Sequence, residues 1–301
     1  MSMLVRPMLC ELGGALSSLD LRDGDPEWVA ERKYDGERII AQFDKGKVHL
    51  WTRREINVSN KFPETVEAVG RTLAGKRHSI LDGELIAGSR FKDLAKRQTE
   101  DKLAIRILSK KMPATYMVFD VLLLDGKDVK SVALSERKKM LRDLVKDSQN
   151  IAYTPVFDSR GLRTRFDSFV KDGYEGLILK HLSSTYQADK RSRDWLKFKK
   201  SDTIEVEVIG AAKSDAGLAF KSLIMMRDGK YFGQVGTGFT EAERRRILAD
   251  LRRSSVQKPV IPIPDDFEPV VLNAPRKALI KVLEISDTGM PRAPVWVGFE
   301  K

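Results

Sequence analysis

Lys33 stands in the stretch Glu31-Arg32-Lys33-Tyr34-Asp35-Gly36-Glu37-Arg38, and the pattern Lys33-x-Asp35-Gly36-x-Arg38 follows one β-rich run and precedes another. A lysine at a strand end acts as a nucleophile when its amine is neutral, and nearby cations, desolvation or a metal lower its pKa toward that state. Gly36 allows the backbone to come close to a ligand. Taken alone, the six residues also read as a charged hairpin turn. Further polar fragments follow in order: Thr52-Arg53-Arg54, Asn57, Lys61-Phe62-Pro63-Glu64, Leu81-Asp82-Gly83-Glu84-Leu85-Ile86 and Val118-Phe119-Asp120-Val121-Leu122. Asp172 to Lys180 (DGYEGLILK) and Arg191 to Lys199 (RSRDWLKFK) complete the set. A planar guanidinium such as Arg53 suits a phosphate bidentately, although Arg54 is adjacent. Lys197 and Lys199 are two apart on a strand and so share one face. Glu175 is the kind of oxygen ligand that magnesium uses one or two of at a time. Each fragment has a plain alternative: a loop salt bridge, a strand-face charge at Glu31, a turn-capping acid at Glu84, core packing at Phe119, solvated lysines at 197 and 199.

The elements that must hold these residues are short and mixed. Apolar alternation predicts strands over Trp28–Arg32, Arg38–Phe43, Val48–Thr52, Ser79–Leu85, Ala114–Leu124, Gly176–Lys180 and Trp195–Lys199. Helices are predicted over Pro63–Leu73, Ser135–Val145 and Thr164–Lys171. Asp-Gly pairs at 23–24, 35–36, 82–83, 125–126, 172–173 and 228–229 read as hairpin turns or strand ends. No regular βαβ alternation appears, so the fold class is α+β with largely antiparallel sheet. After Lys200 strands are predicted over Ile204–Gly210, Leu218–Met226, Tyr231–Val235, Val270–Leu272, Leu279–Ile285 and Val295–Phe299. One helix, Thr240–Arg253, opens on the cap signal Thr240-Glu241-Ala242-Glu243. This set suits a small Greek-key barrel of the OB type, which puts a boundary near residue 201.

The 301 residues carry a net charge of +11 and are 42% hydrophobic and 32% charged, a composition that supplies a core and favours a polyanionic partner. No apolar run approaches the roughly 20 residues that span a bilayer, so no membrane association is expected. The opening MSMLVRPMLCELGG lacks a basic segment followed by a long apolar one, which argues against a secretory signal. Cys10 is the one cysteine, which excludes an internal disulfide and a cysteine-based zinc site and favours an intracellular protein.

In order and approximate spacing the polar fragments resemble the nucleotidyl transferase motifs of ATP-dependent DNA ligases, most closely the minimal two-domain members. Arg6-Pro7-Met8-Leu9 resembles the segment that opens the catalytic domain in that family. The likeness is strong over residues 5 to 200 and weaker beyond. It implies an adenylation domain over 1–201 and an OB-type domain over 202–301, acting as a monomer. It implies that Lys33 takes AMP from ATP through a phosphoramidate bond. Asp35 and Arg38 then lie near the nick termini, with Arg38 also beside the nucleotide. Glu31 meets the adenine edge, Phe119 stacks on adenine, and Glu84 contacts the ribose and the metal zone. Arg53 holds the nick 5′-phosphate, Lys197 and Lys199 contact the α-phosphate, and Arg191 reaches the phosphates too. Glu175, with Glu84, binds Mg²⁺, for which Mn²⁺ can substitute. The partner is nicked duplex DNA, in replication, repair or recombination. The family's closing motif ends in Arg-x-Asp-Lys. Here Arg292 and Pro294 resemble its start, while Glu300-Lys301 stands where its end belongs. Arg292 or Lys301 is therefore expected to contact pyrophosphate and to serve self-adenylylation more than sealing. The rivals are an mRNA capping guanylyltransferase, an RNA ligase and an inactive nucleic-acid-binding module. The Arg53…Phe62-Pro63 segment and Glu175 to Lys180 favour DNA ligase over capping, and Lys33, Glu84 and Glu175 argue against inactivity.

Overall fold

The structure, a computed structural model, describes residues 5–13, 16–88, 91–264, 268–282, 284–286 and 288–300. The chain divides into two compact units, Met1–Lys199 and Lys200–Lys301.

In the first unit the strands are β1 (Leu9–Leu12), β2 (Trp28–Lys33), β3 (Glu37–Asp44), β4 (Lys47–Thr52), β5 (Ser79–Ala87), β6 (Ala114–Leu124), β7 (Lys127–Asp128), β8 (Ile151–Tyr153), β9 (Val156–Asp158), β10 (Gly176–His181) and β11 (Arg191–Lys199). Its helices are α1 (Pro63–Thr72), α2 (Phe91–Ala95), α3 (Lys102–Lys111), α4 (Leu134–Leu144) and α5 (Leu162–Lys171). One sheet has the order β1-β11-β10-β2-β9; the other has β4-β3-β5-β6-β7, with β8 also on β6. The pairings are antiparallel except β1 with β11 and β6 with β8. Strand alternation sorts the apolar residues into layers. On β3, Ile39, Ala41 and Phe43 join a core with Leu81, Leu85 and Val118 under α1, while Ile40 turns the other way to Ile80, Phe119 and Trp195. On the first sheet, Trp28, Ala30, Leu177, Leu179 and Phe198 pack against Phe166 and Phe169 of α5. The polar alternates of both sheets are thereby left on the opposite faces.

Several predicted elements stand where the pattern put them, and α1 begins with Pro63 at its first turn. Asp125-Gly126 and Asp228-Gly229 both have positive φ (52° and 83°; 52° and 70°), as a type I′ hairpin turn requires. Asp82-Gly83 is different: it lies inside β5 rather than at a turn. Helix α3 has no counterpart in the sequence prediction. Its apolar residues recur at helical spacing, but Ile105 is its one buried residue while Leu103 and Ile107 are exposed, and it starts because Asp101 caps it by accepting from Ala104 N at 2.8 Å.

The second unit holds β12 (Asp202–Ala212), β13 (Ser222–Arg227), β14 (Lys230–Val235), α6 (Glu241–Arg253), β15 (Pro269–Val282), β16 (Glu284–Ile285), β17 (Pro291–Arg292) and β18 (Val295–Phe299). Its main sheet is antiparallel in the order β14-β13-β12-β15-β18. Two predictions need correction. Val270–Leu272 and Leu279–Ile285 are not two strands, because β15 runs unbroken from Pro269 to Val282 opposite the long β12. The strand predicted from Leu218 begins at Ser222, and Leu218 is exposed. Thr240 and Glu243 form the reciprocal capping box at the start of α6. Arg244 on α6 is buried and donates to the carbonyls of Phe220, Lys221 and Gly236, tying the helix to the sheet. Beyond β14, Thr237 O accepts from Trp296 N of β18 at 2.9 Å, so the two outer edges of the sheet approach each other. No helix among the described residues is long and apolar enough to cross a membrane.

Candidate active site

The register of β2, β10 and β11 lines up polar residues in rows. Gly176 pairs with Lys33 on one side and Lys199 on the other; Ile178 pairs with Glu31 and Lys197; Lys180 pairs with Val29 and Trp195. Directly opposed residues share a face, so Lys33, Lys199, Glu31, Lys197, Lys180 and Trp195 all point away from the α5 core. Arg32, one residue out of phase, points into that core and lies over the rings of Phe157, Phe169 and Tyr174. Gly176 is required by the pairing itself, since a Cβ there would sit 2.1 Å from Phe198 O. Gly36 has the same explanation, with Leu85 O at 2.3 Å from its notional Cβ. The glycine thus allows the close approach of β5 at this point.

These faces enclose an open cavity of about 280 Å³ lined by Glu31, Lys33, Arg38, Arg53, Glu84, Phe119, Arg191, Lys197 and Lys199, and also by Cys10, Ile178, Lys180 and Trp195. At its outer end Glu175, just before β10, accepts from Lys33 Nζ and from Lys199 Nζ. Burial pushes the Glu175 carboxyl up, but the two ammoniums outweigh it and hold the group below the usual carboxylate range. Glu84, on the facing sheet, has no such contact among the described residues. Burial raises it to about 7 against the opposing charges of Lys33 and Arg38. Burial, and then the charge of Lys199, lower Lys197 from the ordinary lysine value. Arg38 donates from Nε and Nη2 to the buried Asp82 carboxylate at 2.9 and 2.6 Å. Tyr186 Oη donates to the same carboxylate at 2.6 Å and accepts from Met8 N at 3.0 Å. Among the described residues no group of three or more His, Cys, Asp or Glu side chains could hold a metal ion. Glu84 and Glu175 are the two carboxylates here that could serve a hard cation, which would take its remaining oxygens from water and a substrate.

The inner end is drier. Glu31 is 2% exposed and touches two ammoniums, Lys138 Nζ of α4 and, at 2.8 Å, Lys180 Nζ. Lys180 Nζ also lies 4.2 Å from the ring centroids of both Phe119 and Trp195. Behind them Arg137 and Asp120, both 0% exposed, form a bidentate pair at 2.8 and 2.9 Å.

Nine of the candidate residues therefore line one cavity, and Glu175 is bonded to two of them. Asp35 is half-buried in the bend between β2 and β3 and is not part of the lining. Arg53 is exposed at the mouth. Arg292 belongs to the second unit, on β17, and Lys301 lies outside the described residues. The sequence reading missed Lys138, Lys180, Asp82, Tyr186 and Trp195. Strand alternation from Glu84 to Asp82 and from Lys197 to Trp195 carried a signal for two of them. For Lys138, on a helix, there was none.

Residues 7–199 match the family described as ATP dependent DNA ligase domain. A DNA ligase of Archaeoglobus fulgidus is 32% identical over 266 residues, covering 82% of this chain and 47% of that protein. One of Aeropyrum pernix is 30% identical over 300 residues, covering 89% and 48%. The chain thus spans about half the length of the curated relatives it matches. Among solved structures it is similar to a mycobacterial DNA ligase D complexed with ATP and MES, at 26% identity and a TM-score of 0.56, covering 98% of this chain and 95% of that one.

Proposed function

The chain belongs to the ATP-dependent DNA ligase family, and from that premise we propose that it joins 3′-hydroxyl and 5′-phosphate ends at nicks in duplex DNA through a lysyl-AMP on Lys33. The Lys33 amine gives up a proton and attacks the α-phosphorus of ATP, forming a P–N bond as the bond to the bridging oxygen breaks and pyrophosphate leaves. An oxygen of the nick 5′-phosphate then attacks that phosphorus and releases the lysine. Finally the 3′-hydroxyl oxygen, losing its proton, attacks the activated 5′-phosphate and AMP departs. Glu175 orients Lys33 between turnovers, and Lys197 and Lys199 offset charge on the phosphoryl oxygens. Phe119 stacks on adenine, Glu31 meets its edge and Glu84 the ribose. Arg191 reaches toward the phosphates. Arg53 at the mouth takes the nick 5′-phosphate, and Arg38, fixed by Asp82, lies with Asp35 near the nick termini. Holding the two ends together contributes at best roughly 7–11 kcal/mol. Glu84 and Glu175 would hold Mg²⁺, or Mn²⁺ in its place, which when bound supplies divalent charge against phosphoryl oxygens.

We read residues 1–201 as the adenylation domain and 202–301 as an OB-type domain. The curled five-stranded sheet with one helix, and the Thr237–Trp296 bond between its edges, support that reading. The excess of basic residues suits duplex DNA. Arg292 and Lys301 are assigned to pyrophosphate in the first step, and the enzyme acts as a monomer.

One observation carries the proposal: strand register alone brings Lys33, Glu31, Lys197 and Lys199 to one face, across a cavity from Glu84 and Phe119. The test is a nicked duplex with a labelled 5′-phosphate, incubated with ATP and Mg²⁺. The expected result is a sealed strand, absent with Lys33→Ala. No sealing by the natural protein, or sealing by the variant, overturns the proposal.

A further inference from the structure

Lys138 lies in none of the motif fragments, yet its ammonium joins both groups assigned to the base. It contacts the Glu31 carboxylate and donates to Phe119 O at 2.7 Å, and its remaining side faces the Tyr153 ring, 5.6 Å from the centroid. Lys138 is 5% exposed. A buried ammonium is costly unless it is paired, and here it is paired with the Glu31 carboxylate and bonded to Phe119 O. Helix α4 does not need this lysine for docking. Leu134 and Leu141 are fully buried, and Arg137, one residue earlier, already ties the helix to Asp120 of β6. An apolar side chain would pack at this position with no charge to satisfy.

We propose that Lys138 is a positioning residue that sets base specificity, by locking the Glu31 carboxylate and the Phe119 backbone into one relative placement. This rests on the reading of Glu31 and Phe119 as the base-edge and stacking groups. Lys180 approaches the other Glu31 oxygen from β10, so the carboxylate is gripped from two sides. An ionised carboxylate only accepts hydrogen bonds. Its remaining lone pairs meet the exocyclic amine of an adenine stacked on Phe119. A carbonyl at the same ring position, as in guanine or hypoxanthine, meets an acceptor with an acceptor. A ring with hydrogen there leaves the carboxylate unpaired toward the base. A site built to hydrogen-bond a substrate N–H rejects the analogue lacking it by up to about 10⁴–10⁵.

The test measures covalent protein–nucleotide formation by intact mass, as kcat and KM, with ATP and with purine riboside 5′-triphosphate, which lacks the amine. The natural protein is expected to prefer ATP by at least about tenfold in kcat/KM. Lys138→Met should shrink that preference to below about threefold, mainly by raising the KM for ATP, and Lys138→Arg should restore it. If Lys138→Met does not fold, Lys138→Gln keeps a donor for Phe119 O, removes the charge and answers the same question. An unchanged preference in the variant overturns the role of Lys138 and leaves that of Glu31 standing. So does an equal loss with both nucleotides, which marks a merely structural residue. Absence of any preference in the natural protein overturns the reading of Glu31 and the proposal with it.

Discussion

At the outer end of the cavity one carboxylate, Glu175, serves two lysines, and Glu84 opposite makes no such pair among the described residues. At the inner end Asp120 and Arg137 are matched donor for acceptor, and Glu31 is gripped by Lys138 and Lys180. Both ends are rich in charge, but the outer charges stay partly open, with Lys33 18% and Lys199 32% exposed. The difference teaches where chemistry can be placed. On the proposed function, the groups that change partners during phosphoryl transfer are the ones kept near water, where exchange costs little. The groups assigned to the base are buried, where an unpaired charge costs several kcal/mol and the arrangement holds.

The comparison is broken most severely by substituting one residue at each end. Lys33→Ala should reduce covalent nucleotide transfer by more than about 10⁴-fold. Its unfolding free energy should move by less than about 1 kcal/mol, because Glu175 retains Lys199. Asp120→Ala should do the reverse, costing about 3–5 kcal/mol in a denaturant titration by stranding Arg137. A large stability loss in the first variant, or none in the second, would erase the distinction.

Glu84 sharpens it through pH. Its folded-state pKa of about 7 lies above the ordinary 4.5, so the folded chain binds the proton more tightly. Its contribution is fully present below about 4.5 and is lost as pH rises through about 7, a swing of roughly 3 kcal/mol. Glu84→Gln should flatten that part of the stability–pH curve, and equal curves for the two proteins would contradict the assignment. The smallest expected effect lies between the ends. Tyr186→Phe removes the hydrogen bond to the Asp82 carboxylate that anchors Arg38, and with it the acceptor for Met8 N. It should cost about 1.5–2 kcal/mol, read from the same titration.

The outer end was legible in the sequence because strand period decides it. Once Trp28–Arg32, Gly176–Lys180 and Trp195–Lys199 are strands, the facing of Lys33, Lys197 and Lys199 follows. The inner end was not, because Lys138 reaches Glu31 from a helix more than a hundred residues away in the chain and α4 reads only as an amphipathic pattern. Arg38 was read toward the nick, and nothing in its neighbourhood announced a bidentate hold by Asp82 across the β3–β5 ladder. In the second unit the polar run Asn273 to Lys277 looked like a gap between strands. Asn273 is buried there, with its side-chain amide on Val208 O, and β15 continues through the bulged pairing with β12. Such a bulge depends on a partner strand far off in sequence, so local alternation cannot reveal it.

The most direct test of the central claim is to incubate the protein with ATP labelled at the α-phosphate and Mg²⁺, digest it, and map the modified residue. The account predicts label on the peptide containing Lys33, transferred to the 5′-phosphate when nicked duplex is added. Label on a different lysine, or a labelled Lys33 that does not pass its AMP to the nick, would contradict it.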